Sequence, residues 1–168
     1  MSGSQVFQTG MQLLEALRYL ESVGVVHRDL KPANVMIDRA GTVKLIDFNL
    51  TRDSGVATRM AGTLAYMPPD FLALGGRADS FVDRYGVGVI LYELVTGAHP
   101  YEADFATGGN PTPASTPTDP ASLTPAVTDR LAAFLTRCVA PLEANRFGSA
   151  LDMVTSWAAL TPDIVGLR

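Results

Sequence analysis

The chain has 168 residues, of which 47% are hydrophobic, so it is long enough to fold as one packed domain. Its formal net charge of -4 supplies no basic field for nucleic acid, and a nucleic-acid partner is therefore not expected. The single cysteine, Cys138, excludes an internal disulfide and every multi-cysteine zinc motif, and we expect it to be a small buried residue of a helix.

The sequence does not predict export or membrane insertion. Its first ten residues lack the basic start and apolar core of a secretory signal. The longest apolar stretch, around Tyr85–Val95, is interrupted by Glu93 and is shorter than the roughly 18 residues that a membrane-spanning helix needs. We expect a buried helix there, no membrane segment in this chain and a cytoplasmic location.

The first predicted elements are a helix and three short strands. Apolar residues recur at helical spacing over Met11–Ser22, and Gly24 is a typical helix terminator. Strands are predicted around Val25, at Val35–Ile37 and at Val43–Ile46. The residues of 38–42 have turn chemistry.

The polar residues beside these strands carry chemistry. The loop 27–34 reads His-Arg-Asp-Leu-Lys-Pro-Ala-Asn and contains Asp29, Lys31 and Asn34, and Asp47 follows the next apolar run. Any one of them alone is usually a turn or polar loop residue. Together they can accept a hydroxyl proton, neutralise a phosphate and hold a metal ion, which are the requirements of phosphoryl transfer.

The second half of the sequence is predicted to be helical, after an irregular stretch at 49–61. The segment 105–125, rich in Pro and Thr, is predicted to be a flexible surface loop. The predicted helices are Pro68–Leu74, Phe81–Thr96, Pro125–Ala140 and Ser149–Leu160.

Five blocks of the sequence resemble the protein kinase family in the family's own order. The loop 27–34 resembles its catalytic loop, and Asp-Phe-Asn at 47–49 resembles its metal-binding loop. Residues 62–70 resemble the end of its activation segment, 83–89 the start of its central helix, and 145–147 the site of a late arginine. The chain is identified as a member of the eukaryotic-like serine/threonine protein kinase family.

The resemblance implies a role for each site residue. Asp29 corresponds to the catalytic base, Lys31 to the lysine that contacts the transferred phosphate in serine/threonine-specific members, and Thr63 to a threonine that organises both. Asn34 and Asp47 correspond to the residues that hold Mg²⁺, a cation that prefers hard oxygen ligands. A second set of positions is implied to bind nucleotide, and it consists of Lys31, Asn34, Asp47 and Met36, the last as the floor under adenine.

Other positions are implied to be structural or regulatory. His27 is expected to be structural, and Asn49 replaces the family's glycine with the next most tolerant residue for left-handed backbone. Arg28 beside the base is typical of kinases that are switched by phosphorylation, for which the candidate acceptors are Thr51, Ser54 and Thr58.

Two further residues are implied to form structural contacts. Asp70 is expected to pair with Arg146. Asp83 is expected to anchor the catalytic loop by accepting backbone hydrogen bonds.

The fold class implied is mainly α with short β-hairpins: a protein-kinase-like C-lobe over 1–168, from the helix before the catalytic loop to the final helix. The glycine-rich loop, strand lysine and helix glutamate of the kinase N-terminal lobe are not found before His27. We therefore expect a partial kinase domain without its N-terminal sheet lobe, and a polypeptide bearing an N-lobe among its partners.

The resemblance implies transfer of the γ-phosphate of ATP, with Mg²⁺, to serine or threonine hydroxyls of a protein substrate. One alternative is a catalytically inactive kinase-like scaffold that binds protein partners. A small-molecule phosphotransferase of related fold is the weakest alternative, because such enzymes lack the Lys-Pro-x-Asn loop followed by a segment like 62–70.

Overall fold

The structure, a computed structural model, describes residues 1–48, 64–71, 76 and 79–167. Within these residues it is mainly helical, with one two-stranded antiparallel sheet, as the sequence predicts. The helices are α1 (Gly3–Ser22), α2 (Ser80–Thr96), α3 (Glu102–Ala106), α4 (Pro120–Leu123), α5 (Asp129–Cys138), α6 (Ala150–Ala159) and α7 (Thr161–Val165). In the described residues no helix is both long and apolar enough to cross a membrane.

Helix α1 begins eight residues before its predicted start. Ser2 accepts from the backbone N–H of Gln5, and the Gln5 side chain accepts from the backbone N–H of Ser2, which is a capping box. This signal at the start of the chain extends the helix over Gly3–Ser22. Its apolar stripe, which includes the fully buried Leu13 and Leu14, packs against α6, α2 and α7.

The sheet is a hairpin of β1 (Val35–Ile37) and β2 (Val43–Leu45), with Met36 paired to Lys44 at its centre. A strand around Val25 was also predicted, and this prediction is wrong. The backbone N–H of Val25 instead closes the end of α1 on the Leu20 carbonyl. The N–H groups of His27 and Arg28 bond to the Asp83 side chain and not to a neighbouring strand.

Helix α2 is the central element of the core. Tyr85, Val87 and Leu91 are fully buried, which explains why its sequence is apolar on all sides. Gly86 lets the loop 27–34 approach closely, because a Cβ on it would lie 2.8 Å from the carbonyl oxygen of Leu30. Cys138, at the end of α5, packs against the same helix and is buried, as predicted.

Of the four helices predicted in the second half of the sequence, α2 and α6 agree with prediction to within a residue and two differ, while α3, α4 and α7 are not predicted. Helix α5 begins at Asp129 rather than near Pro125, because the Thr128 hydroxyl accepts from the N–H of Leu131 and caps it there. Residues 68–71 form turns and not the predicted helix, whose remaining positions lie outside the described residues. A hydrogen bond from the Phe71 N–H to the Pro68 carbonyl closes a turn there instead.

The segment 105–125 contains the end of α3 and all of α4. It is tied to the core at Thr118, whose N–H donates to the Pro100 carbonyl and whose carbonyl accepts from the Tyr92 hydroxyl. Its flexibility stays a prediction.

Candidate functional site

The loop 27–34 is anchored from below by the side chain of Asp83, at the start of α2. Asp83 Oδ2 accepts from the His27 backbone N–H at 2.6 Å, and Oδ1 accepts from the Arg28 N–H at 2.8 Å. These bonds hold Arg28 in the left-handed region, at φ 70°. Burial raises the pKa of Asp83, while the two N–H bonds oppose that rise. The predicted anchoring role of Asp83 is confirmed.

Removal of this anchor should be costly. Asp83→Ala leaves one buried and one partly buried backbone N–H group without this acceptor, so we expect the free energy of unfolding to fall by about 2–4 kcal/mol. Urea unfolding followed by the fluorescence of Trp157, the single tryptophan, measures this change. The control is Glu15→Ala, which removes a half-exposed i,i+3 ion pair with Arg18 worth less than about 1 kcal/mol. Equal stability of the two variants would refute the anchoring argument.

Three of the predicted site residues, in the loop that Asp83 holds, contact each other. Lys31 Nζ lies 2.8 Å from Asp29 Oδ2 and 3.1 Å from its Oδ1. Asn34 Nδ2 donates to Asp29 Oδ2 at 3.0 Å and to the Asp29 backbone carbonyl at 2.7 Å. A carboxylate, a cation and an amide thus share one partly buried cluster within six residues of chain.

Asp47 lies near this cluster because the hairpin brings its neighbour Ile46 to Asn34. The backbone N–H of Ile46 donates to the Asn34 carbonyl at 3.0 Å, so the next residue, Asp47, lies beside the loop 27–34. Asp47 has φ 58°, a left-handed conformation that non-glycine residues rarely adopt, and it is exposed. His27, fully buried, hydrogen bonds through Nε2 to the Ile46 carbonyl at 2.9 Å and packs its ring on Phe48. His27 therefore acts as a structural link, as expected.

The donor set fits Mg²⁺ in chemical type. Both hydrogens of the Asn34 amide nitrogen are directed at Asp29, so its oxygen Oδ1 lies on the other side of the amide. With the exposed Asp47 carboxylate it offers hard oxygen ligands from two neighbouring segments. Among the described residues there is no group of three or more His, Cys, Asp and Glu side chains that could hold a metal ion.

The remaining predicted positions fall in two groups. Met36 lies on β1 and is half exposed, as is the next residue, Ile37. Thr63, Asn49 and the three candidate phosphate acceptors lie outside the described residues.

Gln12 is a positioning residue that the sequence analysis did not identify. Its side-chain amide donates to the Gly41 carbonyl and accepts from the Val43 N–H, both at 3.0 Å, and so ties the hairpin to α1. Only its place on the polar face of α1 could have indicated this contact. Its partners lie 29 and 31 residues further along the chain.

A second set of contacts fixes the 64–71 segment. Asp70 and Arg146 form the predicted pair, with Arg146 Nη2 lying 2.7 Å from Asp70 Oδ1 and both side chains buried. The Tyr66 hydroxyl lies 3.1 Å from both carboxylate oxygens of Glu93, on α2. The segment is therefore held at both ends by side-chain contacts to the helical core.

Comparison with known proteins agrees with this geometry. The sequence profile of the protein kinase domain matches residues 1–157. The chain is 36% identical over 166 residues to a probable serine/threonine-protein kinase, PknB, of Corynebacterium glutamicum, a match that covers 90% of this chain and 25% of that protein.

Two other relatives give the same result. A probable serine/threonine-protein kinase of Corynebacterium efficiens is 33% identical over 178 residues, with 98% of this chain and 26% of that protein covered. Serine/threonine-protein kinase 32C of the mouse is 34% identical over 148 residues, with 84% of this chain and 30% of that protein covered. The chain thus spans about a quarter to a third of the length of these relatives.

Proposed function

We propose, since this chain belongs to the protein kinase family, that it carries the catalytic and metal-holding half of a serine/threonine kinase active site. The reaction is transfer of the γ-phosphate of ATP to a serine or threonine hydroxyl of a protein substrate. The observation that carries the proposal is the hydrogen-bonded cluster of Asp29, Lys31 and Asn34, with Asp47 held beside it by the hairpin.

Asp29 is proposed to orient the substrate hydroxyl and accept its proton as the oxygen attacks phosphorus. Its carboxylate is partly exposed, so a hydroxyl can reach it. Lys31, whose Nζ lies 2.8 Å from Asp29 Oδ2, carries the positive charge that would contact the transferred phosphate. Asn34 donates to the same carboxylate oxygen, Oδ2, at 3.0 Å, and this second bond limits rotation of the carboxylate.

Asn34 and Asp47 are proposed to hold Mg²⁺ through their side-chain oxygens. A bound magnesium ion neutralises the phosphate oxygens as charge develops on them. Anchoring of the two ligands by one backbone hydrogen bond, Ile46 to Asn34, sets their relative position before nucleotide arrives.

The nucleotide site is proposed to need a second lobe, supplied upstream or by another polypeptide. Met36 and Ile37 present apolar side chains that are 51% and 47% exposed, on the hairpin that carries the site. Adenine and an N-lobe would cover this surface, and burial of apolar area contributes about 25 cal/mol per Å². A cytoplasmic location also belongs to this proposal.

The purified 168-residue chain alone should transfer negligible phosphate from Mg-ATP, because positioning of the phosphates supplies most of this catalysis. Transfer of radiolabelled phosphate to a generic protein substrate should appear when a kinase N-lobe is fused upstream. Asp29→Asn serves as the inactive control. Strong transfer by the chain alone, lost in Asp29→Asn, would contradict the need for a second lobe.

The alternative is a scaffold without catalysis, and it predicts that the fusion with an N-lobe transfers no phosphate. The exposed Met36 and Ile37 side chains suit a protein partner under either proposal. A fusion that binds Mg-ATP yet transfers no phosphate to any tested protein would favour the scaffold.

A further inference from the structure

His99 lies between α2 and α3 and contacts the 64–71 segment with its ring. Its Nε2–H donates to the Ala65 carbonyl at 2.8 Å, and its Nδ1 accepts from the Tyr101 backbone N–H at 3.1 Å. A carbonyl can only accept and a backbone N–H can only donate, so both bonds exist together only in the neutral ring with its hydrogen on Nε2.

Protonation of the ring is incompatible with this arrangement. It would add a hydrogen at Nδ1, which would then face the Tyr101 N–H, and two donors cannot bond each other. The ring is also enclosed by three aromatic side chains, with centroid distances of 5.9 Å to Tyr66, 6.4 Å to Tyr101 and 5.1 Å to Phe105. The protonated His99 ring is therefore incompatible with the two hydrogen bonds that this structure shows.

The polar groups around His99 only partly offset the effect of burial on its pKa. Burial lowers the pKa of His99 below its ordinary value of 6.5, while the Ala65 carbonyl and the Glu102 carboxylate raise it. The other titratable groups that face the ring are the hydroxyls of Tyr66 and Tyr101. Glu93 accepts a hydrogen bond from the Tyr66 hydroxyl and so lies behind that ring as seen from His99. Burial raises the pKa of Glu93.

We propose that His99 is a proton-sensitive latch: in its neutral form it holds residues 64–67 against the start of α3, and it releases them when it binds a proton. The geometry carries this inference, since one ring nitrogen holds the segment and the other holds the backbone of the loop before α3. If the proposed function holds, proton uptake also loosens the end of the activation segment, where a protein substrate would bind.

The sign of the pH dependence follows from the lowered pKa. A released His99 has its ordinary affinity for protons, so it binds a proton more readily than the latched form. The latched form is fully favoured above pH 6.5 and loses stability relative to the released form as the pH falls below 6.5. At pH 5.5 a released histidine of pKa near 6.5 is about 90% protonated, so the released population should rise, by at most about tenfold.

Hydrogen exchange of two amides reports the latch directly. The Tyr101 N–H is bonded to His99 itself, and the Met67 N–H is bonded to the Leu64 carbonyl within the held segment. We expect both protection factors to fall between pH 7.5 and 5.5, by at most about tenfold, after correction for intrinsic exchange rates. The ring resonances of His99 should titrate below pH 6.5.

Two variants separate the latch from other titrating groups. His99→Gln keeps an N–H that can reach the Ala65 carbonyl but cannot take up a proton, so the Met67 amide should become independent of pH. His99→Leu lacks both bonds, so the Met67 amide should exchange fast at both pH values.

Persistence of the pH dependence in His99→Gln would assign it to another group, such as Glu93, and overturn the proposal. Unchanged Met67 protection across the titration of wild-type His99 would overturn it as well. The measurement needs no ATP, second lobe or protein substrate, so its failure is distinct from a failure of the proposed function. The wild-type and His99→Gln data decide the matter even if His99→Leu does not fold.

Discussion

Arg146→Met is expected to lower the free energy of unfolding by about 3–5 kcal/mol, because the buried charge of Asp70 loses its guanidinium partner and is left with the hydrogen bond from the Glu143 N–H. The guanidinium also donates to the Ala140 carbonyl at 2.8 Å, which then loses a donor. For a domain of this size the loss corresponds to a fall in melting temperature on the order of 10 °C. Thermal and urea unfolding, each followed by Trp157 fluorescence, measure it.

Two further variants identify the cause of the loss. Asp70→Leu combined with Arg146→Met should be more stable than Arg146→Met alone, because no unpaired charge remains buried. Arg130→Ala is the matched control, since its ion pair with Asp163 involves a side chain that is 63% exposed and contributes about 0–1 kcal/mol. A double variant less stable than both single variants would show that packing of the guanidinium, and not charge, is what matters.

Asp29→Asn should reduce kcat for phosphoryl transfer by about 100- to 10,000-fold in the form of the protein that carries an N-lobe. The substitution keeps the size of the side chain and an oxygen that can accept from Asn34, but it removes the proton acceptor and the ion pair with Lys31. Steady-state kinetics with Mg-ATP would measure the loss, and KM for ATP should change little.

Asp129→Asn, a change of the same chemistry at an exposed position on α5, serves as the control and should leave kcat unchanged. A wild-type level of transfer by Asp29→Asn would rule out the proposed base. Equal loss in both variants would show that folding, and not chemistry, limits the assay.

What could be predicted from the sequence was mostly local. The residues of the loop 27–34 are close in the chain, so their spacing already places Asp29, Lys31 and Asn34 near each other, and the structure shows this cluster. The long helices α1 and α2 follow from periodicity and apolar content, although the Ser2 cap of α1 was overlooked. The catalytic roles of these residues, and that of Thr63, stay predictions.

Several other errors and omissions depend on contacts between distant residues. The apolar run near Val25 predicts a strand, but the backbone N–H groups that follow at His27 and Arg28 bond to Asp83, 56 and 55 residues away. Gln12 and His99 hold backbone groups 29 to 34 residues away, and a polar side chain in a sequence does not reveal which carbonyl it will reach. Prediction of Asp83 and of the Asp70–Arg146 pair succeeded because the family resemblance supplied such distant partners.

The Gln12 contact has a consequence for solubility. In a two-stranded sheet each outer edge can recruit a strand from another molecule and start aggregation. The Gln12 side-chain oxygen accepts from the outward-facing N–H of Val43 on β2. A strand from another molecule that adds to this edge must first displace the Gln12 side chain. We expect Gln12→Ala to expose that edge and increase self-association on mild heating, which light scattering would detect.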